Sequence, residues 1–222
     1  MPLEARDVWF YYRRGRWVLR GVSVRLERGS KLVILGPNGS GKTTLLRILG
    51  LLEKPQRGIV VVDGVECGGG CPASIRRRVV YVHPEPVMLR GSVLYNLAIG
   101  LLLRGYDEEG AFEKARSLLR ELGLESLEDE QASKLSMGQR MLIHILRAIL
   151  LKPDYLLLDE PTVYLDRAKR RLLVELIERL VEDGSGVAVA THDEWLVETL
   201  RGEVFELGSA GAHSSTSARG PR

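Results

Sequence analysis

The residues Gly36-Pro37-Asn38-Gly39-Ser40-Gly41-Lys42-Thr43 follow the apolar run Leu32-Val33-Ile34-Leu35 and lead into Thr44-Leu45-Leu46-Arg47-Ile48-Leu49. They match the spacing G-x-x-x-x-G-K-[ST], and the strand-to-helix setting is the one a phosphate-binding loop requires. Glycines let the backbone curl until successive N–H groups point inward at phosphate oxygens. The helix start adds the positive end of its dipole. Lys42 is placed to reach β- and γ-phosphates, and the Thr43 hydroxyl to ligate Mg²⁺. The plain alternative is a glycine-rich turn carrying a surface lysine, but the motif and its setting together point to a bound nucleoside triphosphate.

Further stretches fit the same chemistry. Leu156-Leu157-Leu158-Asp159-Glu160 is an apolar strand ending in adjacent carboxylates. At the carboxyl end of a parallel strand, Asp159 would hold Mg²⁺ directly or through its water, and Glu160 would face the attacking water. Thr191-His192 ends another apolar strand, where a histidine can hydrogen-bond a γ-phosphate and orient water. Leu135-Ser136-Met137-Gly138-Gln139 stands directly before a helix, so Ser136 and the Gly138 amide form a second anion site. One nucleotide does not need two such sites in one chain, so this one makes sense closing over a γ-phosphate held by another subunit. An acidic turn and a structural histidine are the plain alternatives for the two strand ends.

The elements that must position these groups emerge from periodicity. Val8–Tyr12 and Val18–Leu26 read as antiparallel strands around a turn at Arg13–Arg16. Ile59–Val62, Arg78–Val82, Tyr155–Asp159, Val187–Ala190 and Val204–Leu207 read as further strands. From Ser92 to about Gly123 the period is helical, with Val93, Leu94, Leu97 and Leu101 on one face. Helices are also expected at Met141–Leu150 and Arg167–Glu182. Alternating buried strands and helices predict an α/β fold, a largely parallel sheet with helices on both faces, and a helical insert. The polar stretch 208–222 is expected to be disordered.

Composition sets bounds. The chain has 222 residues, 45% hydrophobic and 27% charged, which fits a soluble globular domain. A net charge of +3 with arginines in short clusters gives no reason to invoke nucleic acid. No apolar run is long enough to span a bilayer, and Met1–Asp7 does not read as a signal peptide, so a cytoplasmic location is expected. Cys67 and Cys71 flank Gly68-Gly69-Gly70. They read as two free thiols or as a local disulfide, which occurs inside hyperthermophile cells; a metal site would need more soft ligands.

In the order of these motifs the chain resembles the ATP-binding-cassette ATPases over roughly residues 3–207. The phosphate loop is Gly36–Thr43, the signature Leu135–Gln139, the Mg²⁺/base strand Leu156–Glu160, the D-loop Thr162-Val163-Tyr164-Leu165-Asp166 and the switch histidine His192. The resemblance implies a P-loop NTPase (RecA-like) core at about 1–85 and 139–207, with an antiparallel β edge and an inserted α-helical subdomain at about 86–138. Tyr12 (or Tyr11) would stack on adenine; Gly36, Pro37, Asn38, Gly39, Ser40, Gly41, Lys42, Thr43 and Thr44 would hold ATP. Ser136, Gly138 and Gln139 would face the partner subunit's ATP in a head-to-tail dimer. Pro84 stands where the family has glutamine, leaving His83, Glu85 or water for Mg²⁺ coupling; Met137 and Val163-Tyr164 replace small residues. The implied function is an ATP-hydrolysing subunit on the inner face of the cell membrane, powering an integral membrane permease, with a solute-binding protein as a further partner. The stretch from Pro86 to Gly105 is similar to importers of oxyanions such as tungstate, molybdate or phosphate. Rival readings are a cassette ATPase without a permease, and a regulatory subunit that binds ATP with little hydrolysis.

Overall fold

Three nearly continuous apolar runs build the centre of the molecule, as strands buried on both faces must be. The computed structural model describes residues 1–68, 70–208 and 216–217. Its elements run β1 (Leu3–Phe10), β2 (Leu19–Leu26), β3 (Lys31–Leu35), α1 (Lys42–Leu49), β4 (Arg57–Val62), β5 (Val65–Glu66), α2 (Ala73–Arg76) and β6 (Val79–Val82). Then come α3 (Val93–Leu102), α4 (Glu108–Glu121), α5 (Met137–Leu150), β7 (Tyr155–Asp159), α6 (Arg167–Glu182), β8 (Gly186–Thr191), α7 (Glu194–Leu200), β9 (Glu203–Glu206) and β10 (Thr216–Ser217).

The six-stranded sheet has the order β10-β9-β3-β8-β7-β6, and a four-stranded sheet has the order β2-β1-β4-β5. In the first, β9, β3, β8, β7 and β6 are parallel. The second is antiparallel throughout. Helices do not cover both faces of the parallel sheet alike. Helix α1 and the antiparallel sheet share one core with Ile34, Leu157 and Ala188, while Met141, Ile177 and Leu196 of α5, α6 and α7 pack the opposite face. A third cluster joins α3 and α4 to Leu142, Ile143 and Leu146 of α5. Leu156, Leu157 and Leu158 are fully buried. Each such side chain contributes about 1.5–3 kcal/mol relative to exposure.

Several elements depart from the expected boundaries. Strand β1 begins at Leu3 and stops at Phe10, leaving Tyr11 and Tyr12 in the loop after it. Register shifts around Val8 break its alternation, so the aromatic run alone misplaces the strand. The short β5, α2 and α7 carry too few periodic residues to stand out. Of the stretch 208–222, only Gly208 and Thr216–Ser217 are described; the rest of the expected disordered tail lies outside the described residues. Thr216 and Ser217 pair with Phe205 and Val204. The unpaired backbone of an edge strand such as β9 is a ready template for that. Cys67 and Cys71 are joined as a disulfide. Among the described residues no helix is long and apolar enough to cross a membrane.

One buried carboxylate fastens the two sheets. Asp63, in the turn after β4, accepts from Arg28 at 2.6 Å, Arg78 at 2.8 Å and the Tyr155 hydroxyl at 2.6 Å. Its side chain is 6% exposed. Burial alone would raise its pKa, but the hydrogen bonds from Arg28, Tyr155 and Arg78 outweigh it and hold the carboxyl below the usual range. A depressed carboxylate pKa stabilises the fold above the unfolded-state value, and that contribution disappears as pH falls through the folded-state value. Asp63→Ala should therefore cost about 2–3 kcal/mol at pH 7. In thermal melts, the gap between wild type and variant should shrink towards low pH.

Candidate nucleotide site

The phosphate-loop residues lie between the end of β3 and the start of α1. Gly41 carries φ 101° and caps α1; Gly39 carries φ 81°. Glycine adopts both without the steric penalty other residues would meet. Gly36 has a different reason to be glycine: a Cβ there would lie 2.5 Å from the Leu207 carbonyl oxygen and 2.7 Å from Ser40 Oγ. The loop is thus pinned between the end of β9 and its own serine. The first-turn N–H groups of α1 have no intrahelical partners, which leaves them available to an anion at the helix start. Lys42 is 6% exposed, and its Nζ donates to the Gly36 carbonyl at 2.8 Å and the Pro37 carbonyl at 3.3 Å.

Strands β7 and β8 bring the acidic and histidine groups to the same edge. Lys42 Nζ lies 3.5 Å from Glu160 Oε1, and Glu160 Oε2 is 2.9 Å from His192 Nδ1. Glu160 has φ +46°, and its N–H donates to the Ala190 carbonyl at 2.8 Å. A non-glycine residue in that region costs on the order of 1–3 kcal/mol, so the surrounding structure must hold it. The bend turns the carboxylate out of the sheet and towards Lys42 and His192.

Asp159 is almost fully buried. Its Oδ2 accepts from the Tyr81 hydroxyl at 2.9 Å, while its buried Oδ1 has no hydrogen-bond partner. Burial raises its pKa, opposed by the neighbouring Thr43 hydroxyl and by the hydrogen bond from Tyr81. Ser40 Oγ is likewise buried without a partner. Unpaired buried polar groups are costly; a carboxylate oxygen suits a cation and a serine O–H can donate to a phosphate oxygen, so the pair fits a site completed by both.

Tyr12 stands at the outer rim, 56% exposed. Its hydroxyl meets Thr44 Oγ1 at 3.3 Å, and its ring packs edge-on against Phe10 at 4.8 Å. Tyr11 packs instead against Trp17, at 4.9 Å.

The other motif residues gather at the start of α5. Ser136 and Gln139 form a reciprocal capping box: Ser136 Oγ accepts from the Gln139 amide at 3.2 Å, and Gln139 Oε1 accepts from the Ser136 amide at 2.9 Å. Gly138 is pressed against the D-loop, since a Cβ there would lie 2.6 Å from the Tyr164 carbonyl oxygen. Met137, Val163 and Tyr164 are exposed. Asp166 caps α6, accepting from the Lys169 amide at 2.9 Å. Glu85 is exposed, and its amide donates to His83 Nδ1 at 3.0 Å.

Some contributors carry no signal in the sequence. Tyr81 alternates with buried residues on β6 and reads there as core. Asp193 binds Thr162 at 2.9 Å and Arg170 at 3.0 Å, tying the residue after His192 to the D-loop. Arg147 of α5 donates to the Val87 carbonyl at 2.7 Å and contacts His144 Nδ1 at 2.7 Å. Burial, then the Arg147 charge, pushes the His144 pKa down to about 4, so the ring stays a neutral acceptor for Arg147.

The family model described as ABC transporter matches residues 19–163. The chain belongs to the ABC transporter family. It is 38% identical to an ABC transporter ATP-binding protein of Pyrococcus abyssi over 207 residues, 92% of this chain and 79% of that one. It is 38% identical to the taurine import ATP-binding protein of Pseudomonas aeruginosa over 86% of this chain and 72% of that one. The lipoprotein-releasing system ATP-binding protein of Hyphomonas neptunium is 37% identical over 79% of this chain and 80% of that one. Among solved structures, a post-hydrolysis dimer of the ATP-binding cassette MJ0796 with ADP and Pi superposes with a TM-score of 0.86 at 28% identity. That match covers 98% of this chain and 99% of that one. This ABC protein is the ATP-binding subunit of a transporter, an ATPase with the P-loop fold.

Gly138→Ala tests the packing between the helix start and the D-loop. The added methyl must displace the Tyr164 carbonyl, so ATP turnover should fall on the order of tenfold or more. Equilibrium ATP binding to the monomer, which runs through the Lys42 loop, should stay unchanged.

Proposed function

We propose that this ABC ATPase hydrolyses ATP at the interface of a head-to-tail dimer and passes closure to a membrane permease. The contact chain Lys42–Glu160–His192, assembled from three strand ends, carries the reading. Lys42 leaves the Gly36 and Pro37 carbonyls to bind the β- and γ-phosphates, with the loop amides around them. Thr43 and Asp159, whose Oδ1 has no partner, would hold Mg²⁺, and Tyr81 keeps the Asp159 carboxylate oriented. The ion supplies neutralisation of charge on the transferring phosphoryl group. Glu160 accepts a proton from the attacking water, and His192 fixes the Glu160 carboxylate while reaching the γ-phosphate.

The Ser136 hydroxyl hydrogen and the Gly138 amide at the α5 start serve the partner subunit's γ-phosphate. Solved cassettes that form dimers, MJ0796 among them, support that assembly. Exposed Met137, Val163 and Tyr164 lie on the face that would meet the second copy. On closure the core of one subunit (1–85 and 139–207) would face the other subunit's helical unit (86–138), which carries Ser136 and Gly138. Exposed Val87 and Leu89 precede the helices of that unit and offer an apolar contact to the permease. Arg147 connects that segment to α5.

A finer reading is import of an oxyanion with a solute-binding protein, resting on the similarity of Pro86–Gly105. The curated relatives include both a taurine importer and a lipoprotein-releasing system, so support for direction and solute comes from that segment alone. ATP-driven uptake by cells expressing the chain with its neighbouring permease genes tests it. Failure to accumulate molybdate, tungstate or phosphate would remove the oxyanion reading.

Glu160→Gln should lower hydrolysis about 10²–10⁴-fold, the usual contribution of a positioned base. The variant should also elute as an ATP-bound dimer in size-exclusion chromatography. Lys42→Ala should lose ATP binding by calorimetry. Wild-type turnover by Glu160→Gln would show that another group is the base.

A further inference from the structure

Four side-chain atoms among the described residues are buried without a hydrogen-bond partner: Ser40 Oγ, Asp159 Oδ1, Arg47 Nε and His144 Nε2. Ser40 and Asp159 belong to the nucleotide site. His144 does not, since it lies on α5, about two turns beyond the Ser136 cap. Its other nitrogen shows what the ring does there. Nδ1 is 2.7 Å from Arg147 Nη2, and the same Nη2 donates to the Val87 carbonyl at 2.7 Å. A guanidinium only donates, so Nδ1 accepts and the ring proton sits on Nε2. Burial and the neighbouring Arg147 charge favour the neutral ring that this requires. Both hydrogens of Nη2 are then spent, one on each acceptor, and the fork is aimed at Val87. The stranded Nε2–H disfavours the fold, so packing alone would be better served by an apolar side chain at 144.

Val87 lies in the connection from β6 to α3, and the backbone of that connection is held again two residues on. Asn96 of α3, fully buried, accepts from the Leu89 amide at 2.8 Å and donates to the Leu89 carbonyl at 3.0 Å. Thus α3 grips the connection at Leu89 and α5 grips it at Val87. Helix α5 is itself shared between two cores. Met141, Ile145 and Ala148 pack with the parallel sheet, whereas Leu142, Ile143 and Leu146 pack with α3 and α4. The chain leaves the sheet through this connection and returns along α5, so the Arg147–Val87 bond ties the outgoing chain to the returning one.

We propose that His144 is a positioning residue for ATP hydrolysis: it aims Arg147 at the Val87 carbonyl, and this pin fixes α5, with Ser136 and Gly138 at its start, against the connection leaving β6. The proposal rests on the reading in which that helix start serves the partner subunit's ATP. A misplacement of about 1 Å between groups that must meet can cost about 10²-fold in rate. Nucleotide held by the Lys42 loop of the same chain does not depend on the pin, so its affinity is untouched.

The test compares variants of the full chain by steady-state ATP hydrolysis, ATP binding in calorimetry and thermal melting. His144→Leu combined with Arg147→Met removes both partners, a change close to neutral for stability. Val87 is exposed, so water can replace the guanidinium at its carbonyl. This double variant should melt near wild type and bind ATP equally well, while kcat falls about tenfold. His144→Leu alone should lose as much, because the pair acts as a unit. His144→Gln, whose side-chain carbonyl can accept from Arg147 in place of Nδ1, should keep the wild-type kcat. Wild-type kcat in the double variant overturns the proposal. So does an equal loss in His144→Gln and His144→Leu, which assigns the residue to packing. If the double variant melts far below wild type, the comparison of those two single variants decides. Ser136→Ala separates the underlying reading, and it should lower kcat. If it does not, the helix start does not serve the reaction and the pin falls with it; if it does while the double variant turns over normally, only the pin falls.

Discussion

The register of β3, β7 and β8 is the constraint on which the site depends. Leu35 pairs with Thr191 and Asp159 with Ala190, so the three strands end within a residue of one another at one edge of the sheet. The phosphate loop, Glu160 and His192 come directly after β3, β7 and β8, and so meet at that edge. Because side chains alternate with period two, a slip of one residue in β7 would move Asp159 to the opposite face and break its contact with Tyr81. The buried runs that fix this register are the same residues that fill the two cores. Packing and chemistry are thus set by one alignment.

Burial at that edge also explains its polarity. Lys42 and Asp159 are nearly inaccessible, yet each carries a polar head that water would otherwise solvate. Lys42 meets loop carbonyls and Glu160; Asp159 has one oxygen on Tyr81 and one without a partner. A buried polar group of this kind destabilises the fold unless a ligand completes it. The edge is held in shape by interactions elsewhere: the Asp63 cluster between the sheets, the Gly36–Leu207 contact and the Asp193–Thr162 bond. Nucleotide binding then satisfies groups that the fold already holds in place.

Much of this is legible from residue order because the chemistry needs contiguous motifs. A glycine loop, an acidic strand end and a serine-led helix start each occupy consecutive positions, and long apolar runs announce β3, β7, β8 and α5. The illegible parts depend on contacts between distant residues. Nothing local to Tyr81 says that its hydroxyl will face Asp159, and nothing local to Arg147 says that it will reach Val87. That the antiparallel sheet covers one face of the parallel sheet is also hidden, since its strands share the alternation of any half-buried strand. The Cys67–Cys71 pairing stays open in the sequence because two cysteines this close can be either free or joined.

Met137 illustrates how the three-dimensional arrangement changes the meaning of an unusual residue. In the sequence, a bulky side chain in place of the first signature glycine reads as a departure beside the anion site. The close approach falls one position later: the Tyr164 carbonyl lies where a Cβ of Gly138 would be, whereas Met137 is 43% exposed. An unbranched thioether can adapt to the surface it meets. The substitution at 137 therefore leaves the D-loop packing intact and alters only the outward face. Val163 and Tyr164, which also replace small residues, are exposed as well, on the loop whose Tyr164 carbonyl closes on Gly138. The bulkier side chains therefore stand on the two loops that this one close approach brings together, and neither intrudes on it.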